Sequence, residues 1–252
     1  MKIRSWILVL LFASAGILGT VSGLYYVDNI KPNFDDDYVF YVRPETKMRE
    51  VMDSLIHGAG ALHPKSIERA FRKEEVDGAM KPGKYVVNSS STSAYVARMV
   101  KFGWQTPQKM TISGTIRSKG KLAKKISTQM MADSASIAAA LDSAEFLSQY
   151  GFTPETVFAM VLPDTYEMYW TASVKEIFDR LKKEYDAFWT PVRIAKAKKQ
   201  GLSKMDVSIV ASIVSGETLK EFEYPIIAGV YLNRYRTGMK LQADPTVAFC
   251  FD

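Results

Sequence analysis

In the stretch SIVSGETLKEFEYPIIAGVYLNRYRTGMKLQADPTV, residues 212–247, an apolar run ends in a carboxylate, Glu217. A carboxyl group partly taken out of water favours its neutral form, and a neutral acid in a cleft can serve as a proton donor. The bland alternative is a last-turn glutamate that snorkels into solvent. Both readings stand at this level. Downstream, Asn233, Arg234, Gln242 and Asp244 supply amide, guanidinium and carboxylate groups of the kind that bind polar substrates, and the polar KLQADPTV loop with its Asp-Pro turn brings them towards the same region.

The elements that must position these groups are legible locally. Ser203 followed three residues on by Asp206 is a helix start signal, and an apolar run from Val207 to Val214 follows. Val207, Val210, Val214 and Glu217 fall at helical spacing, so the glutamate is expected on the valine face, at the edge of a core or inside a cleft. Pro225 then opens a second helix, Ile226, Ile227, Val230, Tyr231 and Arg234 follow at helical spacing, and Gly238 ends it. Two helices thus meet at a short turn beside Glu217.

ASIVSGET together with AGVYLNRYRTGMKLQADPTV resembles the signature of the endolytic murein transglycosylases, the MltG/YceG-like family, membrane-anchored enzymes that cut peptidoglycan glycan strands. LPDTYEMYW (residues 162–170) is similar to a second block of that family and KPGKYVV (81–87) to a third, in the family's order. The resemblance implies that Glu217 is the catalytic acid/base. Within the second block Tyr166, Tyr169 and Trp170 are candidate platforms, since sugar rings stack their C–H faces on aromatic rings, and Asp164 is a candidate acceptor of sugar hydroxyls or the closer of a turn after Pro163. One departure is plain: Ser215-Gly216 stands where the family usually has Glu-Lys. The family also continues past its Asp-Pro-Thr block, so a C-terminal truncation at Asp252 is expected.

Glycosidases of the ordinary kind use two carboxylates. A lytic transglycosylase of the type implied here needs one, because the acceptor is the sugar's own C6 hydroxyl. The implied reaction cleaves the bond between N-acetylmuramic acid and N-acetylglucosamine in nascent strands and leaves 1,6-anhydro ends, terminating strand elongation. Two rivals remain: a hydrolytic muramidase with Glu223 or Asp244 as second carboxylate, and a non-catalytic peptidoglycan-binding scaffold. No cofactor and no metal are expected, since His57 and His63 lack partners at ligand spacing.

Composition fits a membrane-attached ectodomain. The 33 basic and 27 acidic residues give a formal charge of +6, suited to an anionic wall polymer or lipid surface. No basic run interleaved with aromatics points to nucleic acid, and none is expected as a partner. Cys250 is the only cysteine, so no intramolecular disulfide forms. After Lys2 and Arg4, residues 5–27 carry no charged side chain, a run long enough to span a bilayer as a helix, with Trp6 at one end and Tyr25 and Tyr26 at the other. The basic pair predicts a single-pass protein of the bacterial cytoplasmic (inner) membrane, with the catalytic domain on the periplasmic, extracytoplasmic side; the alternative is a cleaved signal peptide, for which Gly19 to Gly23 offers small residues, although its apolar region would be unusually long. Peptidoglycan strands, that membrane and peptidoglycan synthases are the expected partners.

The expected organisation is α+β. A cytoplasmic stub (1–4) precedes a transmembrane anchor (5–27) and a polar linker (28–37). A LysM-like α+β region (38–130) and a mainly helical catalytic domain (131–252) follow. Within 38–130 a strand, a turn and an amphipathic helix recur three times, led by YVFYV, KYVV and KMTI, with Thr46 as a candidate cap in the first repeat. Farther on, Ile177, Leu181, Tyr185 and Phe188 form one helical stripe that reads as core.

Overall fold

The computed structural model describes the backbone of residues 2–249 and the side chains of residues 11–246. The first helix, α1 (Lys2–Asn29), contains the uncharged run. Side chains of residues 5–10, in the first part of the expected span 5–27, lie outside the described residues, as does Cys250. Among the described residues no helix is long and apolar enough to cross a membrane. The chain divides into two compact units, the first of which includes α1: residues up to Pro107 together with Tyr169–Thr171, and Gln108–Met168 with Ala172 onward.

In the first unit β1 (Tyr38–Val42) pairs antiparallel with β2 (Gly83–Val87), Phe40 opposite Tyr85 and Val42 opposite Gly83. Period-two alternation turns Phe40 and Val42 inward and leaves Val39 and Tyr41 exposed. Gly83 leaves room there for Gln105, whose Cγ would stand 2.5 Å from a Cβ at that position. Between the strands lie α2 (Met48–Asp53), a π-helical turn (Ser54–Gly58) and α3 (Pro64–Lys73), and α4 (Ser93–Phe102) follows β2. Val51, Leu55, Ile67, Phe71, Val96 and Val100 close this core. Thr46 does not cap α2: Lys47 takes the cap position, and the Thr46 hydroxyl accepts from the Arg43 amide at 2.8 Å, closing the preceding turn.

The stretch read as a polar linker puts two of its residues into this core. Asn33 and Phe34 are buried, and Asn33 bridges the chain by donating to Ser93 Oγ (2.9 Å) and accepting from the His63 amide (2.6 Å). A buried amide with both ends bonded is retained without desolvation loss, which local composition cannot reveal.

In the second unit β3 (Gln108–Ile112) pairs antiparallel with β4 (Asp164–Met168). Between them run α5 (Lys119–Ser127), α6 (Ser134–Asp142), α7 (Ala144–Ser148) and a 3-10 turn (Val157–Met160). The expected boundary near residue 130 is therefore corrected to Pro107/Gln108, since 108–130 fold with the helical part through β3–β4 pairing. The unit continues through α8 (Val174–Phe188) and α9 (Pro191–Lys199) to α10 (Lys204–Glu217). Past a 3-10 turn (Glu221–Glu223) come α11 (Tyr224–Arg236) and α12 (Asp244–Phe249). The core stripe is present on α8 as Ile177, Leu181 and Tyr185, with Phe188 at its exposed edge. A smaller cluster of Ile213, Val214, Tyr231 and Ala243 joins α10 to α11 and to the loop before α12, while Ile226 and Val230 face outward.

Candidate active site

The helix that carries Glu217 is fixed at its start by a reciprocal capping box. Ser203 N donates to Asp206 Oδ2 (2.8 Å) and Asp206 N to Ser203 Oγ (3.1 Å), and the hydrogen bonds from Ser203 hold the Asp206 carboxyl below its usual range. At the other end Thr218 is extended (φ −149°, ψ 152°), so α10 stops at Glu217. Val214, one turn back, is buried, which sets the rotation of the helix.

The expectation of a partly buried Glu217 is corrected: its residue is exposed. What the fold supplies is a hydroxyl partner. Tyr231 of α11, 7% exposed, donates from Oη to Glu217 Oε1 at 2.5 Å. Burial, followed by that hydrogen bond and the Glu217 charge, pushes the Tyr231 hydroxyl up to about 12, so it remains a donor at physiological pH. With Oε1 held, Oε2 is the oxygen left to exchange a proton with a substrate, the geometry of a positioned general acid/base. Tyr231 entered the sequence reading only as an apolar position of a helix. Its spacing of three from Arg234, which puts both on one helix face, was the available signal.

Arg234 Nη1 donates to the Leu241 carbonyl (2.6 Å) and to Gln242 Oε1 (3.4 Å), so it braces the loop before α12. Gln242 adopts positive φ (52°), a conformation that such a brace helps to hold. Asp244, exposed at the start of α12, and Arg234 both lie within the electrostatic reach of the Tyr231 hydroxyl. Glu217, Tyr231, Arg234, Gln242 and Asp244 are thus brought together. Asn233 is not: two residues from Tyr231, it projects about 200° round the helix and is exposed. Glu223 Oε2 accepts from Thr218 Oγ1 at 2.6 Å, which ties down the turn after Glu217.

The LPDTYEMYW residues take other roles. Tyr166 is fully buried on β4 with its hydroxyl on the Leu162 carbonyl, so it offers no face to a sugar. Trp170 belongs to the first unit and is 5% exposed, its ring 4.8 Å from that of Tyr41 and beneath the Arg43 guanidinium. Both platform expectations are therefore corrected; the exposed ring of the block is Tyr169. Asp164 is exposed at the start of β4 and accepts from the Thr165 amide (2.7 Å). Among the described residues no His, Cys, Asp and Glu group could hold a metal ion.

No curated protein matches the chain. The fold is similar to the crystal structure of the YceG-like protein lmo1499 from Listeria monocytogenes, with a TM-score of 0.54 at 18% identity, over 86% of this chain and 76% of that one. Residues 40–252, which hold the Glu217 helix, its partner helix and the braced loop, match the YceG-like family. The chain belongs to the YceG-like family.

Proposed function

We propose that this protein is a membrane-anchored endolytic peptidoglycan transglycosylase in which Glu217 is the acid and then the base. The observation that carries the reading is the Tyr231–Glu217 hydrogen bond at the end of a family-matched helix, which leaves one carboxyl oxygen for chemistry. Protonated Glu217 gives its proton to the glycosidic oxygen between N-acetylmuramic acid and N-acetylglucosamine. As that bond breaks, the C6 hydroxyl of the same muramic residue attacks C1, and the Glu217 carboxylate takes the hydroxyl proton. The product is a 1,6-anhydro end, and no water is consumed. In this reading Arg234 and Gln242 shape the loop beside the reacting sugar, and Asp244 accepts a sugar hydroxyl.

The anchor reading is supported by the uncharged run 5–27 and by the bare apolar side chains of α1, where Leu11, Phe12, Ile17, Leu18 and Val21 are each at least 59% exposed. Aqueous solvent disfavours such a helix and hydrocarbon accepts it. The strand-and-helix first unit, read as LysM-like, would hold glycan or stand the catalytic unit off the membrane.

Glu217→Gln keeps shape and removes the titratable proton. Release of 1,6-anhydro ends from isolated sacculi, read by mass spectrometry, is expected to fall by at least about 10²-fold. Glu223→Gln is expected to retain most activity, because its carboxylate is engaged with Thr218. Wild-type activity in Glu217→Gln would refute the assignment. Reducing ends in place of anhydro ends, with Glu223→Gln or Asp244→Asn equally inactive, would favour a two-carboxylate hydrolase.

A further inference from the structure

On α3 the sequence PKSIERAFRK buries Ser66, Ile67, Ala70 and Phe71 and leaves Arg72 and Lys73 exposed. Neither forms an ion pair among the described residues. The buried face packs on the end of α1. Ser66 Oγ donates to Asp28 Oδ1 and Arg69 Nη2 pairs with the same oxygen, each at 2.6 Å, and farther along α3 the Lys73 ammonium lies 5.6 Å from the Tyr25 ring centre. Contacts along α3 therefore climb α1 from Asp28 to Tyr25, towards its uncharged run. The C-terminal end of α4 is tied to the same level: Arg98 pairs with Glu74 (2.8 Å) and Lys101 donates to the Glu74 carbonyl (2.6 Å), one residue beyond Lys73.

Directly after these cations come two exposed rings. Phe102 and Trp104 are 57% and 48% exposed, with ring centres 5.9 Å apart and nearly parallel. Large aromatics left bare beside one another mark an interaction surface. Cations and aromatic rings side by side, next to the end of an uncharged helical run, match the chemistry of the headgroup layer, where phosphates meet the former and the apolar boundary takes the latter.

We propose that the joined C-terminal ends of α3 and α4 form a membrane-docking surface, in which Arg72 and Lys73 meet anionic phospholipid headgroups while Phe102 and Trp104 seat at headgroup depth. The inference rests on the reading of α1 as a membrane span. Docking would hold the first unit against the membrane surface and fix the height of its strands above it.

The test uses the full chain carrying Cys250→Ser and Phe102→Cys, labelled with bimane at position 102 and reconstituted into vesicles of equal parts phosphatidylglycerol and phosphatidylcholine, or of phosphatidylcholine alone. The expected result is carbonate-resistant association with both, and in the anionic vesicles a blue shift of the label with loss of acrylamide quenching. Adding Arg72→Gln and Lys73→Gln, both at exposed positions, should reverse the shift and leave carbonate resistance intact. Carbonate resistance with a label open to acrylamide in both vesicles would overturn docking and leave the anchor standing. Extraction by carbonate would sink the anchor, and docking with it. Protection by glycan strands but not by anionic vesicles would assign the rings to sugar and overturn the lipid reading.

Discussion

At the scale of single residues, Gly216, one residue before Glu217, sits where the packing leaves no room for a side chain. A Cβ on Gly216 would stand 2.8 Å from Pro245 Cβ and 2.9 Å from its Cγ, so the start of α12 can close on α10 only because no side chain intervenes. Two effects oppose each other in Gly216→Ala. Helix propensity favours alanine by about 1 kcal/mol in a helix interior and by less at its last turn, whereas forcing a methyl group into a filled contact costs typically about 1–3 kcal/mol. Pro245 is held by α12 and cannot simply swing away as a flexible side chain would, so overpacking should win. Gly216→Ala is expected to destabilise the protein in denaturant unfolding and, on the proposed function, to lower release of 1,6-anhydro ends by displacing Asp244. A variant more stable than wild type would show that the Pro245 contact is soft. The place of Glu217 at the end of its helix was legible in the sequence, because a carboxylate closing an apolar run is a local pattern. Its Tyr231 partner was not, because the pairing depends on how α11 crosses α10, and a tyrosine at a core spacing looks the same whether or not its hydroxyl has a task.

At the scale of elements, start signals translated well and the roles of loops did not. The Ser203/Asp206 box forms as the spacing required, and Pro225 opens α11. Thr46, of the same residue type as a cap, closes a turn one residue too early, since threonine serves either role and only the backbone path decides. The run 28–37 failed for a related reason: three aspartates in a row read as a linker, yet the two residues before them, Asn33 and Phe34, are fully buried. The α10 cap carries a measurable expectation. Ser203→Ala removes the acceptor for the Asp206 amide and should cost about 1 kcal/mol at neutral pH. Hydrogen bonds from Ser203 hold the Asp206 carboxyl below its unfolded value, so their contribution is present above about pH 4 and fades as pH falls through the folded value. The difference between wild type and Ser203→Ala in urea titrations should therefore shrink on acidification. An unchanged difference at low pH would mean that the Ser203 hydroxyl does nothing for the Asp206 carboxylate.

At the scale of the whole molecule, the chain does not run through its units in order. It leaves the first at Pro107, builds β3 to β4 in the second, returns for Tyr169–Thr171 and leaves again. The expected boundary near residue 130 missed this, because strand pairing between residues 108–112 and 164–168 is non-local and the periodicity of KMTI matches that of the first two repeats. The same topology explains why Trp170 is no sugar platform: it is the piece of the later sequence that completes the earlier unit. Its ring packs on Tyr41 at 4.8 Å under the Arg43 guanidinium 5.1 Å away, and Thr171 Oγ1 donates to Gln105 Oε1 at 3.1 Å. Truncating a buried tryptophan typically costs about 3–5 kcal/mol through lost contacts and the cavity left behind. If the return segment belongs to the first unit, that loss should fall on β1 and β2 rather than on β3, although β4 ends only two residues before Trp170. Amide hydrogen exchange in Trp170→Ala is expected to accelerate across residues 38–42 and 83–87, with 108–112 left near its wild-type protection. Equal acceleration in β3, or none in β1, would place residues 169–171 with the second unit and return Trp170 to the candidates for contact with glycan.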